Sequence, residues 1–219
     1  MKTFINGSQI LTALIGAFIV TSASAQIIGV SGSTSKPPSV FGGYSMTKFA
    51  DDSRPEYDNV TGVASPLGGT INFSAELNHR EVNSGWQTWS NRYKGDVYYL
   101  NSGTTVTLTL PTATTAFYFY AEPQSFDDFK IKASVGSTLL SQVVDGLYGA
   151  EFFGFYTTGT ETFSSITIST SDRTGFAIGE FGIAAPRATP VPEPSTYALV
   201  GAAALCGLIV VRRFKGKAS

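Results

Sequence analysis

Between residues 40 and 184 apolar and polar positions alternate, and no long stretch carries the apolar period of a helix. In 105–110 (TVTLTL) Val106, Leu108 and Leu110 share one face, and the threonines take the other. Phe117 and Phe119 alternate with Tyr118 and Tyr120. Phe129, Ile131 and Ala133 alternate with Lys130 and Lys132, and Ile166 and Ile168 with threonine and serine. The pattern continues through Phe176, Ile178, Phe181 and Ile183. Further strands are predicted over 70–77, 96–100, 138–144 and 151–156. Turn signals separate them: Asn101-Ser102-Gly103, Val135-Gly136-Ser137, Asp145-Gly146 and Thr158-Gly159-Thr160. Strands with one apolar and one polar face predict an all-β domain over 40–184, with antiparallel sheets packed as a β-sandwich. A jelly roll is the alternative topology.

Both ends depart from this pattern. Residues 10–20 (ILTALIGAFIV) are apolar but for Thr12 and Gly16, and Ala23-Ser24-Ala25 supplies the small-x-small pattern that fits a signal peptidase. Eleven apolar residues are too few to cross a hydrocarbon core of ~30 Å, so 1–25 reads as a signal peptide cleaved after Ala25. Residues 26–39 are rich in Gly, Ser and Pro and read as a flexible leader.

At the other end, 185–195 reads as a linker that ends in Val191-Pro192-Glu193-Pro194-Ser195. Its prolines lack backbone donors and favour an extended chain open to an enzyme's cleft. The stretch 196–211 follows without a charge, and its apolar part, 197–211, spans roughly 22 Å as a helix. That is short for a transmembrane helix, and Arg212 and Arg213 can snorkel to make up the difference. Residues 212–219 form a cationic tail with Arg212, Arg213, Lys215 and Lys217. The positive-inside rule places this tail in the cytoplasm and the β-domain on the far side of the membrane.

The order of Pro192-Glu193-Pro194, a short apolar helix and an Arg-rich end resembles the PEP-CTERM sorting signal of Gram-negative bacteria. The resemblance covers about 190–214. It implies that an exosortase in the inner membrane recognises and cuts the segment, and that the product reaches the cell surface or an extracellular matrix. It also implies a setting of biofilm and exopolysaccharide. More loosely, 85–90 (GWQTWS), 95–99 (GDVYY) and 152–155 (FFGF) are similar to β-sandwich ectodomains that precede this signal.

Charge and cysteine content narrow the function. The segment 26–190 holds 15 acidic and 10 basic residues, which disfavours nucleic acid as a partner. The one cysteine, Cys206, lies in the C-terminal apolar run. The β-domain therefore has no disulfide and no thiol chemistry.

Three constellations could carry chemistry. Trp86, Trp89, Tyr93, Tyr98 and Tyr99 are concentrated in one stretch. Trp86, Trp89 and Tyr93 are candidates for stacking on sugar rings, and the plainer reading makes both tryptophans packing residues at one end of the sandwich. Asp127 and Asp128 are candidate calcium ligands, with Glu122, Asp145, Glu151, Asp172 and Glu180 as acids that could approach them. Asp51, Asp52 and Asp58 form a second acidic group, and solvated loop acids are the plainer reading of both. His79 is the only histidine, and no G-x-S-x-G motif accompanies it, so nothing marks a nucleophile. No pair of carboxylates stands out for glycoside hydrolysis either.

The sequence thus predicts a non-enzymatic exported protein, and the resemblance to the PEP-CTERM signal implies a structural or adhesive role in biofilm. A carbohydrate-binding module is the alternative and a glycan hydrolase the third reading. The expected processing partners are signal peptidase and exosortase, with polysaccharide as a candidate ligand and no cofactor other than a candidate calcium ion.

Overall fold

The computed structural model describes residues 26–32, 35–101 and 103–186. The expected signal peptide, transmembrane helix and cationic tail lie outside the described residues. Among those described no helix is long and apolar enough to cross a membrane.

The chain opens with β1 (Ile27–Ser31) and three short strands, β2 (Val40–Phe41), β3 (Tyr44–Ser45) and β4 (Thr47–Lys48). Then come β5 (Asn59–Ala64), β6 (Thr70–Glu81), β7 (Asp96–Asn101), β8 (Thr105–Thr109) and β9 (Ala116–Pro123). The last five are β10 (Asp128–Val135), β11 (Thr138–Asp145), β12 (Glu151–Thr157), β13 (Ser165–Thr170) and β14 (Gly175–Ala184). All nine segments predicted from alternation are strands. Ile27–Ser31, inside the expected leader, is also a strand and pairs antiparallel with β12.

The strands run in the order β1-β12-β9-β14-β7-β6-β8-β13-β10-β11, and every pairing between them is antiparallel. β6 explains how two layers arise from one sheet. Its C-terminal half pairs with β7, through Asn78↔Tyr99 to Glu81↔Asp96. Its N-terminal half pairs with β8, through Asn72↔Thr109 and Phe73↔Leu108. A 12-residue strand, about 40 Å long, can serve both halves by bending between them.

The far edges then approach each other. The Thr138 hydroxyl of β11 donates to the Ile27 carbonyl at 3.1 Å, and Gln142 Nε2 donates to the Phe152 carbonyl at 3.3 Å. The outcome is a nearly closed barrel, and this corrects the expected pair of separate sheets. All-β and antiparallel hold; the two layers are halves of one curled sheet, joined through β6.

The main core fills the interior. Val106, Leu108, Ile131, Ala133, Ile166 and Ile168 point into it from one half, as their alternation predicts. Phe117, Phe119, Phe153, Phe155, Phe176 and Ile178 meet them from the other. The rings of Phe119 and Phe153 stack 5.4 Å apart.

Candidate functional site

β9 and β14 are buried along their whole length, on both faces. Tyr118 and Tyr120, which alternate with the core residues Phe117 and Phe119, pack in a second apolar cluster with Phe41 and Phe152. The cover comes from two segments that lie off the main strand order. Residues 35–49 contribute Phe41, whose ring meets Phe152 and Tyr156 edge-on at 5.5 and 5.1 Å. Residues 82–95 contribute Val82 and Trp86, which pack on Val97, Tyr99 and Ala177.

Two buried carboxylates pin the 82–95 loop to the sheet. Glu122, wholly buried at the end of β9, accepts from Trp86 Nε1 at 3.1 Å and from the Thr88 hydroxyl. Glu180, in β14, accepts from Trp89 Nε1 at 3.2 Å and Asn91 Nδ2 at 2.9 Å. A register shift between Gly179 and Gly182, with Glu180 at φ +53°, marks a bulge there. Such a bulge re-aims a side chain at the cost of local strain. Burial pushes the Glu122 carboxyl up to about 8, against the hydrogen bonds from Thr88 and Trp86. Burial raises Glu180 as well.

The three aromatic candidates therefore play unequal parts. Trp86 is a packing residue, 8% exposed, and its indole N–H is occupied. It covers the outer face of the sheet and does not close an end of it. Trp89 and Tyr93 are half-buried, and the Tyr93 hydroxyl donates to the Asp96 carbonyl at 3.1 Å.

The pinned loop separates two open clefts, each lined in part by Gln87 and Thr88. One, of about 470 Å³, has Arg80, Trp86, Tyr99, Glu122, Gln124 and Phe126 in its walls. The other, of about 350 Å³, has Asn83, Trp89, Arg92, Lys94, Leu147 and Tyr148. Phe126 is 56% exposed and Tyr148 77%. The Arg80 guanidinium sits over the Tyr57 ring, 4.4 Å from its centroid. Sequence reasoning missed these cations, because nothing in the local pattern joins Arg80 to Arg92 and Lys94.

His79 belongs to a different, buried network. Its Nε2 lies 2.7 Å from Asp96 Oδ1, and its Nδ1 lies 3.1 Å from the Pro55 carbonyl oxygen. Asp96 Oδ2 also accepts the Asp52 backbone N–H at 2.6 Å. Asp52 is paired with Arg54 and accepts from the Tyr98 hydroxyl at 3.0 Å. Burial would raise the Asp52 pKa, yet hydrogen bonds from Arg54 hold it down at about 2. Both ring nitrogens of His79 are taken up by oxygens that accept, which leaves none to activate a serine.

The acids considered for calcium are spread among turns and the anchors described above. Asp127 Oδ1 accepts the Asp128 N–H at 2.8 Å, and Asp145 Oδ1 accepts the Leu147 N–H at 2.8 Å. Asp172 accepts from the N–H groups of Ser125 and Thr174, at 2.8 and 2.9 Å. Among the described residues no three or more of His, Cys, Asp and Glu gather at one point.

The sorting residues Val191, Pro192, Glu193, Pro194, Arg212 and Arg213, and the cleavage residues Ala23 and Ala25, lie outside the described residues. Fold and site thus define an all-β domain with an anchored aromatic loop between two clefts. Residues 190–213 match the family described as the PEP-CTERM protein-sorting motif. The match coincides with the segment singled out from the sequence and includes none of the β-domain. It implies export and processing by an exosortase. No curated protein matches the chain significantly.

Proposed function

We propose that the protein is an exported surface or matrix component with a structural or adhesive role in an exopolysaccharide biofilm. The sorting motif at 190–213 carries this reading. Held at the inner membrane by its apolar segment, the β-domain faces the periplasm until processing releases it toward the surface or the matrix. The barrel suits such a role, because a core closed over nearly its whole circumference withstands exposure outside the cell without a disulfide in 26–190. The role is non-enzymatic.

A second reading, contact with polysaccharide, is favoured by the exposed rings of Phe126 and Tyr148 beside the two clefts.

Fractionation of the producing bacterium tests the proposal. The β-domain is expected in the matrix or outer-surface fraction, and deletion of the gene should loosen cell-to-cell cohesion. A protein confined to the cytoplasmic fraction, or a deletion strain with unchanged cohesion, would count against it.

A further inference from the structure

Charge is distributed against the trend of the domain around the 82–95 loop. Residues 26–190 are net acidic, yet the two clefts present Arg80, Arg92 and Lys94. Their walls hold a single acid, Glu122, which is wholly buried with both oxygens engaged. The two ion pairs found among the described residues, Arg54–Asp52 and His79–Asp96, involve none of these three cations. Arg80 is held in place by hydrogen bonds to Asn78 Oδ1 and the Gly85 carbonyl, with the Glu56 carboxylate nearby, and Arg92 and Lys94 are the exposed cations. Exposed amides, Gln87 on the shared ridge and Gln124 beside it, can donate to and accept from hydroxyls. The ring of Phe126 borders one cleft and that of Tyr148 the other.

We infer that the two clefts on either side of Gln87 and Thr88 form one groove that binds an extended anionic polysaccharide, a chain of uronate-type sugars. This inference rests on the polysaccharide-contact reading and adds to it the charge of the glycan and the place where it lies. Three chemical features converge on it. Exposed rings stack on the apolar faces of sugar rings. Amides serve the hydroxyls. The cations meet a carboxylate that recurs along the chain, and guanidinium takes carboxylates in fork geometry. The two clefts share Gln87 and Thr88 in their walls, so a linear chain laid across that ridge would reach both, and a compact ligand would not. Single-stranded nucleic acid also combines flat rings with negative charge. The export implied by the sorting motif, and the exposed amides that serve hydroxyls, favour the glycan.

The test measures binding of the full chain, purified in detergent micelles, to alginate, to dextran as a neutral glycan and to oligothymidylate. Alginate is expected to bind more tightly than the other two, with affinity falling as ionic strength rises. The double variant Arg80→Gln/Lys94→Gln should bind alginate about tenfold more weakly. Phe126→Ala/Tyr148→Ala should also bind more weakly, with an unchanged unfolding midpoint because both rings are exposed. Equal binding of alginate and dextran would overturn the inference and leave polysaccharide contact standing. No binding of any glycan would overturn both. Tighter binding of oligothymidylate would make the groove a nucleic-acid site. Alginate binding unchanged in both double variants would remove the site from this groove.

Discussion

His79 and Asp96 form a buried pair, with Nε2 2.7 Å from Oδ1, and the other ring nitrogen of His79 faces the Pro55 carbonyl. Two accepting neighbours require two donated protons, so the ring is an imidazolium where this geometry holds. Burial alone would lower its pKa; the hydrogen bonds to Asp96 and Pro55 outweigh burial and raise it above 6.5. The pair ties β6 to the start of β7, and Asp96 in turn holds the Asp52 backbone.

The sign of the pH dependence follows from that raised value. The folded state holds the proton more tightly than the unfolded chain. The resulting stabilisation is complete below about 6.5 and is lost as pH rises through the folded value. His79→Gln should therefore destabilise the protein by about 1–3 kcal/mol at acid pH, and the gap to wild type should narrow as pH rises. Urea unfolding of both proteins across pH measures this. A gap that stays constant would contradict the charged pair.

Glu122 has the same sign from a different cause. Burial raises it from 4.5 to about 8, so folding takes up a proton and stability is lost as pH rises from 4.5 through about 8. With the carboxyl protonated, the Thr88 hydroxyl is free to donate to the Gly146 carbonyl at 3.0 Å. Glu122→Gln keeps the shape without the charge. It should fold, lose this part of the pH dependence and exceed wild-type stability above about pH 8. Thermal unfolding below and above that range checks it, and a variant less stable than wild type throughout would show that the charge itself is favourable.

The strand pattern was legible because residues such as Val106, Leu108, Ile166 and Ile168 obey strict alternation over a half-buried sheet. The curl into a near-barrel was not legible. It depends on β6 changing partners between Phe73 and Asn78, which leaves no local trace in sequence. Alternation puts Tyr118 and Tyr120 on the face opposite Phe117 and Phe119, and it does not show that remote chain at 35–49 roofs that face over. The anchors did leave a signal: Glu122 and Glu180 are each the only charged residue in their strands. A lone acid in an otherwise uncharged run needs a dedicated donor, and the nearby tryptophans supply one each.

Trp86 separates packing from donation. Trp86→Ala should cost about 3–5 kcal/mol, since it removes a buried ring from the cluster with Val82 and Tyr99. Trp86→Phe retains most of the packing but takes a donor from Glu122, and should cost about 1–3 kcal/mol. Chemical unfolding of the two variants gives both values. No loss in Trp86→Phe would mean that the indole N–H contributes nothing, and equal losses in the two variants that the packing of the ring contributes nothing beyond it.

The central claim concerns the route of the chain, and the intact mass of the mature protein tests it most directly. In a host with an exosortase, mass spectrometry should find a product that lacks the apolar segment 197–211, and deletion of 192–194 should leave a longer, membrane-retained species. An identical mature mass with and without 192–194 would contradict processing through this motif.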